Sequence, residues 1–214
     1  MPPPEQDLPM LQLEQLSFAY DTQRVVDNWS ATLAPGASWL QGPNGCGKST
    51  RLKLLGAVLQ PQCGQARLGT LELRRDAQAW RRQTAWVGAE GAPLPHLSPR
   101  QLFAFLAGLY GVHDEAHWRD WSATSTALGL TRWLDQALHS LSTGTQRKAA
   151  LAAALSLDVP LLLLDEPFNA LDEQAAAALR QRLQQRHQDA ARWTVMASHE
   201  DPALSPLQTL QLQA

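Results

Sequence analysis

Eight consecutive residues, Gly42-Pro43-Asn44-Gly45-Cys46-Gly47-Lys48-Ser49, satisfy the pattern GxxxxGK[ST], in which each residue type has a task on a polyphosphate. The glycines let the backbone N–H groups of residues 44–49 curl around phosphate oxygens, and the helix start that follows, with Thr50 in its first turn, adds positive potential. Lys48 reaches the β- and γ-phosphates, and the Ser49 hydroxyl binds Mg²⁺. A second pair of candidates, Asp165 and Glu166, follows the apolar run Leu161–Leu164 and precedes Pro167. A buried strand ending in an acid presents it where ligands of α/β sheets gather. Asp165 suits a Mg²⁺ contact made through water. Glu166 points to the other side of the strand end and is the candidate to orient and deprotonate an attacking water. Each group has a local alternative: a glycine turn before a helix, a helix cap, a solvated acid. Their occurrence together favours phosphate chemistry.

These side chains require a strand before the loop, a helix after it and a second central strand. Ala37–Gln41 reads as the first strand, after the turn Pro35-Gly36, and Leu52, Leu54, Leu55 and Val58 fit a one-sided helix from Lys48 to Leu59, ended by Pro61. Leu161–Leu164 is an all-apolar run of the kind buried on both faces of a parallel sheet. Around them, Leu11, Leu13, Leu16, Phe18 and Tyr20 alternate like a strand, with further strands at Ser30–Leu33, Gly64–Leu73 and Thr84–Val87. Residues 99–158 carry Leu, Ala and Trp at helical spacings, and 173–187 form a long helix. Trp193–Ala197 reads as a last central strand and Leu207–Leu212 as an edge strand. Residues 1–9 read as a frayed Pro-rich leader, and 10–214 as a single α/β domain interrupted by a helical subdomain at roughly 90–158.

The 214 residues suffice for one domain with a real core. With 18 Lys plus Arg against 20 Asp plus Glu, the net charge of −2 argues against bulk phosphate-backbone binding, so no nucleic-acid partner is expected. The longest apolar run, Val159–Leu164, contains Pro160 and falls far short of the roughly 20 residues of a membrane-spanning helix. No export signal opens the sequence, and Cys46 and Cys63 form neither a CxxC nor a cluster with paired His. The chain is therefore expected in the cytoplasm.

Further along the chain, Leu141-Ser142-Thr143-Gly144-Thr145-Gln146 resembles the LSGGQ signature of the ATP-binding cassette (ABC) ATPases, Asn169-Ala170-Leu171-Asp172 resembles their D-loop, and Ser198-His199 their switch histidine. The resemblance covers nearly the whole chain, and the elements occur in the family's order. It implies a P-loop NTPase core with a mostly parallel sheet, an antiparallel β part near the N-terminus and a helical subdomain insert. It also implies ATP and Mg²⁺ as ligands, with a nucleotide site drawn from Gly42, Asn44, Gly45, Cys46, Gly47, Lys48, Ser49 and Thr50. In that family the signature Ser and Gly reach across a dimer interface to the γ-phosphate; Ser142 and Gly144 inherit this role, Asp172 the D-loop's, and His199 the γ-phosphate contact. Tyr20 falls where the family stacks an aromatic on adenine. Singly, Ser142 and Asp172 also read as helix caps, His199 as a strand-end imidazole and Tyr20 as a core aromatic.

Thr143, Thr145 and Asn169 depart from the commonest family residues. The family's Q-loop glutamine has no identical counterpart: aligning Trp86-Val87-Gly88-Ala89-Glu90 puts Glu90 there, toward phosphate and Mg²⁺, whereas an offset of one puts Ala89 there, and Glu90 is the preferred assignment. The implied partners are a second copy or a homologous ATPase subunit and transmembrane permease subunits, which place the chain peripherally on the inner face of the cell membrane. The helical subdomain and the Glu90 loop are the expected docking surface, with Trp86, Phe103, Trp118 and Trp121 as possible contacts or helix core. Length and the Trp-Val-Gly run are similar to those of compact bacterial cassettes such as the haem-export type of cytochrome c maturation. The alternative is a soluble ATPase of this class acting on nucleic acid or ribosomes, whose coiled-coil insert or second cassette 214 residues do not accommodate. His113 and His117, one helical turn apart, read as a solvated helix face rather than a metal site.

Overall fold

The computed structural model describes residues 10–90, 94–188 and 191–213; the leader expected over residues 1–9 lies outside them. The described residues form two sheets. One is antiparallel, with strands β1 (Leu11–Tyr20), β2 (Gln23–Leu33), β4 (Cys63–Leu68) and β5 (Leu71–Glu72) in the order β2-β1-β4-β5. The other contains β3 (Gly36–Gln41), β6 (Thr84–Val87), β7 (Leu161–Asp165), β8 (Trp193–Ala197) and β9 (Leu207–Gln211) in the order β6-β7-β8-β3-β9, with every neighbouring pair parallel. Trp193–Ala197 is thus central and the last strand an edge, as expected.

The parallel sheet is buried on both faces, and β7 shows why its sequence is continuous leucine. Side chains alternate along a strand, so Leu161 and Leu163 enter a core shared with the antiparallel sheet and helices α1 (Lys48–Leu55) and α2 (Ala77–Arg82). Leu162 and Leu164 enter a second core under helices α3 (Pro99–Tyr110), α4 (Glu115–Ala127), α5 (Thr143–Ser156) and α6 (Glu173–Arg186). Polar residues start these helices. Ser98 and Gln101 form a reciprocal capping box with Pro99 at the first position of α3, while Asp114, Ser142 and Asp172 cap α4, α5 and α6.

Several expected boundaries shift. Helix α1 stops at Leu55 rather than Leu59, because Gly56 takes its C-cap and Ala57 turns left-handed (φ 52°); the amides of Val58 and Leu59 then fold back onto the Lys53 carbonyl, leaving Val58 exposed. The strand expected over Gly64–Leu73 is a hairpin, β4 and β5, broken at Gly69-Thr70 and clasped by Arg67 and Glu72 at 3.3 Å. Strand β2 starts seven residues before Ser30, at Gln23; its exposed Gln23, Arg24, Asp27 and Asn28 hide an edge strand. Phe103 and Trp121 are buried and stacked at 5.2 Å, with Trp118 edge-on to both, so these aromatics are helix core; the large apolar residues of α3 that are exposed are Phe105 and Leu109. No helix among the described residues is long and apolar enough to cross a membrane.

Candidate functional site

Strand β3 runs into the glycine loop, and α1 begins at Lys48, so the loop sits at the C-terminal edge of the parallel sheet. Gly45 and Gly47 have φ of 80° and 84°, the left-handed values that turn successive amides toward one centre. At Gly47 the space is closed as well: a Cβ would stand 2.9 Å from both the Val25 side chain and the Arg51 guanidinium. Arg51 in turn braces the loop from below, donating to the Cys46 carbonyl at 2.5 Å, and burial lowers its pKa. The Lys48 ammonium donates to the carbonyls of Gly42 (2.7 Å) and Pro43 (3.1 Å), which holds it across the loop.

A cleft of about 320 Å³ opens at this loop, lined by Asn44, Gly45, Gly47, Lys48, Ser49 and Thr50 together with Ala89, Asp165, Glu166, His199 and Val25. Asp165, the last residue of β7, is 4% exposed. Glu166 leaves the strand in a left-handed conformation (φ 49°), and its Oε1 lies 3.4 Å from His199 Nε2. The turn carrying His199 is tied to the sheet, since Trp39 Nε1 of β3 donates to the Ser198 carbonyl at 3.1 Å and Ser198 Oγ donates to the Glu200 carbonyl at 2.7 Å. The Ser49 hydroxyl and the Asp165 carboxylate are hard oxygen donors lining the same cleft, a set that fits Mg²⁺.

Ser142 and Gly144 lie elsewhere, at the N-terminus of α5. Ser142 caps that helix through the Thr145 amide (3.3 Å), and Gly144 packs against the Ala170 carbonyl. Asp172 caps α6 through the Ala175 amide at 2.8 Å and also pairs with Lys148, whose ammonium holds the Asp172 carboxyl below the usual carboxylate range. The cap readings of Ser142 and Asp172 are thus real features of the fold, and they leave the Ser142 hydroxyl near the surface.

Four expected site residues are placed differently; Gly42 lies outside the cleft's lining, where a Cβ would stand 2.8 Å from Cys46 Sγ and from the Leu212 carbonyl oxygen. Glu90 does not line the nucleotide cleft; Ala89 does, and Glu90 lines a neighbouring apolar groove of about 580 Å³ with Trp86, Leu102, Leu106 and Tyr110. Ala89 and Glu90 are neighbours in the bend that follows β6, so an offset of one residue exchanges the two compartments. The Cys46 side chain is 5% exposed and packs in the core beneath the loop, leaving only its backbone to the site. Tyr20 ends β1, 41% exposed and edge-on to Phe18 at 4.9 Å, outside the cleft's lining. Val25 and Trp39 escaped the sequence reading because neither belongs to a polar motif. Of the dismissed histidines, His117 pairs with the α4 cap Asp114 at 2.7 Å.

Comparison with known proteins meets this geometry. The sequence profile of the family described as ABC transporter matches residues 26–169. A protein of Pseudomonas fluorescens named "Cytochrome c biogenesis ATP-binding export protein CcmA" is 37% identical over 178 residues, covering 82% of each chain. Its namesake in Idiomarina loihiensis is 32% identical over 200 residues, covering 93% of this chain and 89% of that protein. Among solved structures, one titled "Structure of ATP binding subunit of ABC transporter" superimposes with a TM-score of 0.85 at 24% identity, over 96% of this chain and 88% of that one, a likeness of fold. With a phosphate loop, two strand-end carboxylates and a histidine converging on one cleft, the chain belongs to the ABC transporter ATPases and serves to bind and hydrolyse ATP for an ABC transporter.

Proposed function

We propose that this chain is the ATPase subunit of an export complex for cytochrome c biogenesis, the role named in its relatives. It works as a pair, with a second copy or a homologous subunit, beneath transmembrane permease subunits on the cytoplasmic face of the cell membrane. The observation that carries the paired reading is the separation within one chain: Lys48, Asp165, Glu166 and His199 line one cleft, whereas Ser142 and Gly144 stand apart at the start of α5. A site that needs both sets is completed by the partner's signature.

In this reading the loop amides and Lys48 hold the β- and γ-phosphates of ATP, and Ser49 and Asp165 would hold Mg²⁺, which when bound would offset phosphate charge. Glu166 takes the proton of the attacking water as its oxygen bonds to the γ-phosphorus, the bond to the β–γ bridging oxygen breaks, and ADP leaves. His199 donates to the γ-phosphate and keeps Glu166 oriented through their contact.

Mixing Lys48→Ala with Ser142→Arg chains tests the composite site. Each variant is inactive alone, and a mixed pair has both defects in one site and an intact second site. At random pairing about a quarter of wild-type activity returns; no recovery overturns the paired reading. Solubilised membranes should yield the tagged chain together with integral membrane subunits, and recovery free of them contradicts the transport assembly.

A further inference from the structure

Arg147, in the second turn of α5, points its guanidinium into the protein and is 4% exposed. A buried cation is unfavourable unless it is well hydrogen-bonded, and burial lowers the pKa of this one, against the pull of Asp165 and Glu166 nearby. Its hydrogen-bond partners are backbone carbonyls. Nη1 donates to Gly88, and Nη2 donates to Asp165 and, at 2.5 Å, to Glu166. Gly88 follows β6 and Asp165 ends β7, which are adjacent strands paired through Val87 and Leu164. One planar fork thus spans the ends of two strands at the edge where the cleft lies, a geometry suited to Arg and not to Lys.

The consequence falls on Glu166. Its amide donates to the Ala197 carbonyl of β8 at 2.7 Å, and its own carbonyl accepts from Arg147, so the residue is gripped on both peptide sides. That grip maintains the left-handed φ of 49°, a conformation a glutamate keeps only when its surroundings impose it. The next residue toward the cleft from Gly88 is Ala89, so the same fork fixes a second piece of the cleft wall.

We propose that Arg147 is a positioning residue for ATP hydrolysis, setting the orientation of Glu166 and tying it to the placement of the signature helix α5. Movement of α5 reaches the base through this guanidinium. The inference rests on the reading of Glu166 as the general base.

The test is steady-state ATPase kinetics of the full chain and of its Arg147→Met and Arg147→Lys variants, with equilibrium ATP affinity and melting temperature measured alongside. Arg147 lies outside the residues lining the cleft. In Arg147→Met, kcat should therefore fall about tenfold or more while KM and ATP affinity stay within about twofold. Arg147→Lys should recover part of the loss, since an ammonium keeps the charge and reaches fewer carbonyls. If the methionine variant does not fold, the lysine variant decides alone, by a lowered kcat at constant KM. Unchanged kcat in the variants overturns the proposal, as does a parallel decline of kcat, ATP affinity and melting temperature, which marks a merely structural residue. Glu166→Gln, assayed in the same series, separates the two ideas. Normal turnover there removes the general-base reading, whereas an inactive Glu166→Gln beside fully active Arg147 variants removes only the positioning role.

Discussion

Gly144 lies so close to the Ala170 carbonyl that a Cβ on it would stand 2.4 Å from that oxygen. The signature and the D-loop of one chain are therefore in direct backbone contact, and the neighbouring Lys148–Asp172 ion pair fastens the same junction between α5 and α6. The glycine of the signature is required inside the chain, before any partner is considered.

Gly144→Ala forces that junction apart. Overpacking against backbone costs about 1–3 kcal/mol, so a drop of several degrees in melting temperature is expected, with loss of ATPase activity. Thr143→Ala, one residue earlier, is the control in the same scanning-fluorimetry experiment. Equal melting temperatures for all three proteins would show that the D-loop yields freely.

Glu166→Gln retains the shape and hydrogen bonding of the side chain and loses its basicity. Turnover should fall at least about a hundredfold, the range for removing a general base, with ATP binding preserved. Gel filtration with ATP and Mg²⁺ should then reveal a trapped dimer, and a monomer under those conditions would argue against ATP holding two copies together.

Because Ala89 and not Glu90 lines the cleft, Glu90→Gln should leave ATP affinity unchanged with and without Mg²⁺. Ala89→Asp, by contrast, puts a carboxylate beside the phosphates. Repulsion on the order of 1–2 kcal/mol weakens metal-free ATP binding about tenfold, and Mg²⁺ relieves part of it. Titration of both variants with ATP checks this; a metal-dependent effect of Glu90→Gln would return that residue to the nucleotide.

His187, just after α6, has both ring nitrogens buried without a hydrogen-bond partner among the described residues, and burial, aided by the Arg186 charge, lowers its pKa from 6.5 to about 4. The folded chain keeps this imidazole neutral where the unfolded chain protonates it. Stability therefore declines as pH falls from about 6.5 to about 4 and loses nothing more from this group below that. His187→Gln should flatten this part of the melting-temperature profile, and identical profiles for the two proteins would mean that solvent reaches the ring.

What the sequence determined by itself is whatever depends on neighbours along the chain. The loop Gly42–Ser49 works through its own backbone angles, Leu161–Leu164 followed by Asp165 declares a strand buried on both faces, and Ser142 and Asp172 announce the helices they cap. Tertiary structure decided matters of side and distance. Whether Ala89 or Glu90 faces the phosphates turns on the course of the bend past the end of β6, which no spacing rule resolves, and it exchanged a polar cleft for an apolar groove. Phe103 carries no mark that distinguishes core from surface on a helix as apolar as α3, where Phe105 and Leu109 are exposed. The Arg147 fork joins carbonyls 59, 18 and 19 residues away. A carbonyl leaves no trace in residue type, so contacts made to the backbone across the fold become visible only once the strands and helices are packed.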